Sequence, residues 1–115
     1  MANRSGNSPY HVETVVPAGT TQTDAAQIPI KSSPALILSA GNTTGGVKLP
    51  LAGKGKMFII KNTSSLQLAT LNVYPTSGNA INALGANTVL VMQPLTSATF
   101  VADSTTWHTS PVVPS

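Results

Sequence analysis

Every apolar run in this chain is short and is closed by turn residues, proline, glycine, asparagine, aspartate or serine. The strongest run is Lys56 to Asn62, with Met57, Phe58, Ile59 and Ile60 held between lysines and a turn following over Asn62 to Ser65. Runs of this length are too short to hold a helix in water. What several of them show is the period of two that marks strands. Leu71 and Val73 fall on one side and Asn72 and Tyr74 on the other. Ala98, Phe100 and Ala102 likewise oppose Thr99 and Val101.

Read along its length, the chain gives about nine short strands and no amphipathic helix. Tyr10 to Val16 alternates, with apolar or β-branched residues at 10, 12, 14 and 16, until Pro17-Ala18-Gly19 stops it. Thr20 to Gln27 reads as a turn, an irregular loop or one helical turn. Ile28 and Ile30 flank Pro29, which has no ladder donor, so that strand is expected at an edge or very short. Ala35 to Ala40 carries Leu-Ile-Leu without alternation, as in a strand buried on both faces. Val47 to Leu49, Lys56 to Asn62, Leu66 to Tyr74, Thr88 to Met92, Thr96 to Ala102 and Thr106 to Thr109 complete the set. Ala80 to Gly85 reads as an apolar loop or a brief extended segment in which Ile81 and Leu84 need burial. Many short strands with turns every few residues imply an all-β fold, a single small β-sandwich or β-barrel. No repeat of fixed period is visible. The domain is expected over 17–110, after an extended N-terminal arm at 1–16 and before a tail at 111–115.

The chain's 115 residues are enough for one domain with one core. Charged side chains make up 8%, against about 25% in an ordinary soluble domain. Ser, Thr and Asn supply the polarity instead, as suits β-surfaces and turns. Such low charge fits a chain that is packed into an assembly. Lys48, Lys54, Lys56 and Lys61 cluster in the sequence and are read as a solvated loop or a basic patch for an acidic partner surface. Lys48, Lys56 and Lys61 also read as guards of strand edges, a device missing after residue 66. Those later strands are expected to be covered, for instance by oligomerisation. Single-strand nucleic-acid binders add stacking aromatics to their cations. The few aromatics here sit mostly within apolar strand patterns, so no nucleic-acid partner is expected. With no cysteine there is no disulfide and no thiolate metal site. No secretory leader and no apolar run near the ~20 residues of a membrane span are visible, so no membrane partner is expected.

The residues able to carry chemistry are few and fall in structural settings. Asp103, Ser104 and His108 are close in sequence, but a triad is defined by geometry and no Gly-x-Ser-x-Gly elbow is present. Asp103 is expected to cap a turn and His108 to lie on a strand surface. Glu13, Asp24 and Asp103 are the only acids, which leaves no evident carboxylate pair. Two histidines, His11 and His108, are too few for an ordinary zinc site. Gly53-Lys54-Gly55-Lys56 fails as a phosphate loop because Met57 follows and Pro50 stands where a glycine is needed. A tight hairpin with glycine at positive φ is the better account. Trp107 reads as a lid on the core, with sugar stacking as the alternative. No cofactor, metal or catalytic residue is expected, and the chain reads as non-enzymatic.

The order of motifs from Thr44 to His108 is more specific. Val47-Lys48-Leu49-Pro50 is followed by Gly55 to Asn62, then by Leu71 to Asn82, and finally by Ser97 to Trp107. The middle piece matches Val-Tyr-Pro-x-x-Gly-x-x-Ile-Asn at every fixed position, from Val73 to Asn82. This order resembles a module of tailed-bacteriophage structural proteins, the capsid decoration (cement) and head-fibre family, over roughly residues 44 to 109. The resemblance implies that Phe58, Val73, Ile81, Phe100 and Trp107 share one core. The resemblance implies a non-enzymatic virion protein, often trimeric, on the outer capsid surface and made in the bacterial host cytoplasm. Its partners would be the major capsid protein and its own copies. Some 40 residues precede the module, an addition suited to reaching neighbouring subunits. The arm would then grip the shell or a neighbouring copy through Arg4, Tyr10, His11 and Val12. The alternative is a head- or tail-fibre module holding host-surface glycans or a receptor through Trp107, Tyr74 or the loops at 41–46 and 76–79.

Overall fold

A computed structural model describes residues 11–29 and 35–110. Arg4, Tyr10, Ile30, Lys31 and the 111–115 tail lie outside the described residues, as does the His11 side chain. Among the described residues the fold is all-β, with ten strands and no helix. They are β1 (His11–Thr14), β2 (Ala26–Gln27), β3 (Ala35–Ser39), β4 (Gly46–Lys48), β5 (Met57–Asn62), β6 (Leu71–Tyr74), β7 (Ala80–Ile81), β8 (Leu90–Met92), β9 (Ser97–Ala102) and β10 (Thr106–Ser110).

The strands form two sheets. One has six strands in the order β1-β3-β5-β9-β10-β7, the other four in the order β2-β4-β6-β8. Successive strands from β1 to β8 alternate between the sheets, so β1, β3 and β5 stack in parallel in one while β2, β4 and β6 stack in parallel in the other. Such parallel stacking is the winding of a β-solenoid rather than the hairpin path of a closed barrel. His11, Ala35 and Phe58 share a row, so successive coils advance by about 24 and about 23 residues. The repeat is structural only, which is why no period shows in the sequence. Antiparallel β8, β9 and β10 close the C-terminal end.

One core lies between the sheets. The six-stranded sheet contributes Ile37, Phe58, Ile60, Ala98, Phe100 and Trp107, and the four-stranded sheet Val47, Leu71, Val73, Leu90 and Met92. Inward and outward residues alternate along β5, β6 and β9, as period two requires.

Several sequence expectations need correction. β4 and β5 lie in different sheets, so the Gly53-to-Lys56 segment is a link between sheets and not a hairpin. It does turn tightly, with Lys56 N–H donating to Gly53 O and Gly55 at φ 90°. Lys48, Lys56 and Lys61 do not guard edges: β4 and β5 are interior strands, and among the described residues the edges are β1, β7, β2 and β8. Leu66 to Thr70 is not strand, because the chain turns there before β6 begins at Leu71. β3 is buried on its inner side only, since Leu36 and Leu38 are half-buried. β2 is two residues long, stops before Pro29 and lies at an edge.

Candidate functional site

The end of β5 is organised by one side chain. Asn62 is fully buried, and its Oδ1 accepts the N–H of Gly41 at 2.9 Å and of Ser64 at 3.1 Å. Its Nδ2 donates to Ala69 O at 2.9 Å and to Met92 O at 3.2 Å. Its backbone joins a further loop, with N–H to Thr96 O and C=O accepting Leu95 N–H, both at 2.9 Å. A buried amide can use all of its hydrogen-bonding capacity only where several strands of chain converge. Asn62 thus fixes the 41–45 loop, the 63–70 loop and the 93–96 turn to one another.

Two of these segments carry exposed leucines. Leu66 is 71% exposed, Leu68 74% and Leu95 60%. Leu68 and Leu95 also hold left-handed backbone, at φ 72° and 59°. A left-handed conformation costs a non-glycine residue about 1–2 kcal/mol. Large apolar side chains held in solvent on strained, tethered backbone are a poor arrangement for stability alone and a good one for docking. Sequence reading missed these exposed leucines because Leu66-Gln67-Leu68 imitates strand alternation and Leu95 reads as a turn residue. The available signal was Gln93-Pro94-Leu95, a turn that leaves a leucine at its corner.

A second polar feature sits on the β9–β10 hairpin. Asp103 Oδ1 accepts the N–H groups of Thr105 and Thr106 at 2.9 and 2.8 Å, which closes the turn. Its Oδ2 lies 2.9 Å from His108 Nε2. The His108 hydrogen bond, with the two amides, holds the Asp103 carboxyl at about 2, below its ordinary 3.8. Both side chains are about half exposed. Asp24 likewise takes the Thr21 amide and hydroxyl and the Thr20 amide, which lower its pKa.

The remaining sequence candidates are dispersed. Phe58, Val73, Ile81, Phe100 and Trp107 all lie in the single core. Trp107 is fully buried, its ring centroid 5.6 Å from that of Phe58, so it offers no face to a sugar. The lysines do not make one patch. Lys48 follows core-facing Val47 and Lys61 follows core-facing Ile60, so each points away from the core on a different sheet. Lys54 lies in the link between those sheets, and Lys56 Nζ donates to Leu51 O at 2.8 Å. Val12 is 52% exposed on β1. The 41–46 and 76–79 loops are tied by asparagines: Asn42 Oδ1 accepts Thr44 and Gly45 amides, and Asn87 Oδ1 accepts Gly78 N–H. Tyr74 is half-buried, its hydroxyl 3.4 Å from Thr20 O.

Among the described residues no three His, Asp or Glu side chains come together as a metal site, and no helix is long and apolar enough to cross a membrane. Compared with protein-family models, curated proteins and solved structures, the chain matches none.

Proposed function

We propose that this chain is a non-enzymatic virion structural protein, a capsid decoration (cement) protein that binds the outer surface of a tailed-phage head as an oligomer and stabilises the shell. The observation that carries the reading is the end built on Asn62. It presents Leu66, Leu68 and Leu95 to solvent from segments that cannot easily retract. A chain with 8% charged residues and a tethered apolar end is suited to lasting contact with another protein. The body is a small two-sheet β-domain with its core between the sheets.

The mechanism is physical. The leucine end docks on the major capsid protein, and the part of the expected arm ahead of β1, residues 1–10, reaches the capsid floor or a neighbouring copy. Bridging several subunits raises the effective concentration of every contact, so modest contacts together resist shell opening under internal DNA pressure. The fibre alternative loses its best platform with the burial of Trp107, and keeps Tyr74 and two asparagine-tied loops.

The test is the copy number of this chain in purified particles, measured against the major capsid protein by quantitative mass spectrometry. Hundreds of copies per particle support decoration. A handful supports a fibre or tail location, and absence overturns both. Deleting residues 1–10, which leaves β1 and core-facing Val15 in place, separately tests the arm: unchanged capsid affinity removes it from the mechanism.

A further inference from the structure

The outward side of the six-stranded sheet is more apolar than a solvent-facing sheet should be. Strand register puts Val12, Leu36 and Ile59 in one row across β1, β3 and β5, continued by Thr99 on β9. Leu38 shares that face on the row of Lys61, and Met57 shares it on the row of Val101 and His108. β1 is the telling strand. It places Val12 on the outer row and Glu13 on the row of core-facing Ile37 and Ile60. Water on the outer face would favour the reverse. Parallel strands with apolar residues on both sides are ordinarily covered on both sides. The four-stranded sheet covers the inner side, and no third layer of strands or helices lies outside among the described residues.

Charge on this face indicates what covers it. Lys61 stands at one end, on the row of Ser97. Asp103 stands at the other, two residues beyond Val101 and beside His108. About six residues of strand separate the two levels, roughly 20 Å, so they cannot pair within one copy. A partner carrying a single sign of charge would leave one of them opposed. A second copy turned about an axis across the strands meets both: each lysine then lies over the other copy's aspartate, with the apolar rows between. An axis along the strands would instead set lysine level with lysine.

We propose that two copies of this chain pair through the outer face of the six-stranded sheet, about a two-fold axis crossing the strands near Met57 and Ile59, with Lys61 of each opposite Asp103 of the other. The contact is isologous and closes at two. It places the two leucine ends at opposite poles of the pair. The phage resemblance implies a trimer, so the two readings differ in stoichiometry and do not depend on each other. The footprint is roughly 20 by 17 Å, or about 350 Å² in plane, from strand spacing and rise. That is below the ~800 Å² per partner of a standard interface, so the pair is expected to be weak and concentration-dependent.

Sedimentation equilibrium of the full chain between about 10 and about 300 μM spans the affinity range of such a contact. A monomer–dimer equilibrium is expected. Val101→Asp and Ile59→Lys should each shift it to monomer while leaving the far-UV circular dichroism unchanged. Lys61→Glu should weaken pairing about tenfold or more, the size of effect expected from facing like charges. Asp103→Asn keeps an acceptor for the turn and gives the sign test: it should weaken pairing of the parent chain and strengthen pairing of the Lys61→Glu chain. A monomer throughout the range, a trimer, no effect of Val101→Asp, or Asp103→Asn acting in one direction in both backgrounds overturns the proposal. A chain that pairs but is missing from particles overturns decoration alone. A monomer present in hundreds of copies overturns the pair alone.

Discussion

The Gly41 amide donates to the buried Asn62 side chain at 2.9 Å, and this bond ties the second coil of the fold to the third. Asn62 lies at the end of β5, and Gly41 follows β3, the parallel neighbour of β5 in the sheet. Where coils stack in parallel, the links at their ends leave backbone groups without ladder partners, and these must be met in some other way. Asn62 meets four of them at once, two amides and two carbonyls.

Asn62→Ala should therefore be the most damaging polar substitution in the molecule. It strands two donors and two acceptors in a buried site, each costing about 1–3 kcal/mol if left unmet. Allowing for relaxation and entry of water, a loss on the order of 3–5 kcal/mol is expected by urea denaturation. Asn62→Asp should be no milder, because a carboxylate oxygen would replace the amide that faces Ala69 O and Met92 O. A loss below about 1 kcal/mol would show that these groups are met without the amide.

Two glycine substitutions make an internal control. A Cβ on Gly41 would lie 2.6 Å from both Ala69 O and Thr70 O, which are backbone atoms that cannot rotate away. Gly41→Ala should cost about 1–3 kcal/mol through forced backbone shifts. A Cβ on Gly53 would meet nothing nearer than the flexible Lys56 side chain at 3.4 Å. Gly53→Ala should be neutral or stabilise by up to about 1 kcal/mol through the unfolded chain. Thermal melts of both variants check the contrast, and equal effects would remove the crowding argument at Gly41.

The pattern of sides was legible in the sequence, while the path between strands was not. Leu71 and Val73 face in and Asn72 and Tyr74 out, since period two is a local property. Whether β4 and β5 pair with each other or with strands a coil away depends on contacts distant in the chain. The same alternation serves a hairpin and a solenoid, so the Gly53-to-Lys56 turn was misread. On β1 the alternation of 10, 12, 14 and 16 was visible, but its direction was not, and Val12 faces out. Asn62 reads as a turn residue from its neighbours. Its burial comes from segments at 41, 69 and 92, which no local window contains.

Trp107 gives a direct optical test of the core. It is the chain's one tryptophan and fully buried, packed 5.6 Å from Phe58 between ring centroids. Its emission should be blue-shifted and hardly quenched by iodide in the native state, with full quenching only after unfolding. Phe58→Leu should red-shift the emission by loosening that packing. Ready iodide quenching of the folded protein would place the indole at the surface and restore it as a glycan platform.

Acid should act through the hairpin. The folded state holds Asp103 at about 2 against an ordinary 3.8, by the His108 hydrogen bond first and the Thr105 and Thr106 amides next. A depressed carboxyl contributes stability that is complete above its unfolded value and disappears as pH falls through its folded value. Thermal stability should thus decline between about pH 4 and pH 2, with Asp24, also depressed, acting in the same direction. Asp103→Asn should flatten part of that decline, and His108→Gln a smaller part. An unchanged acid profile in Asp103→Asn would show that the pair does not contribute to folding.

Leu68 separates stability from docking. It is 74% exposed at φ 72°, so its side chain gains little from the fold while its backbone is strained. Leu68→Gly removes a strain of about 1–2 kcal/mol and adds unfolded-state freedom worth about 0.4–1 kcal/mol. The net effect should be neutral to slightly stabilising, read from the urea midpoint. If the leucine end is the docking surface, the same change should weaken attachment to capsids, and Leu66→Asp should do so without a change in stability. Capsid binding that survives both substitutions would move the contact elsewhere on the molecule, and a clear loss of stability in Leu68→Gly would mean that this leucine is packed rather than presented.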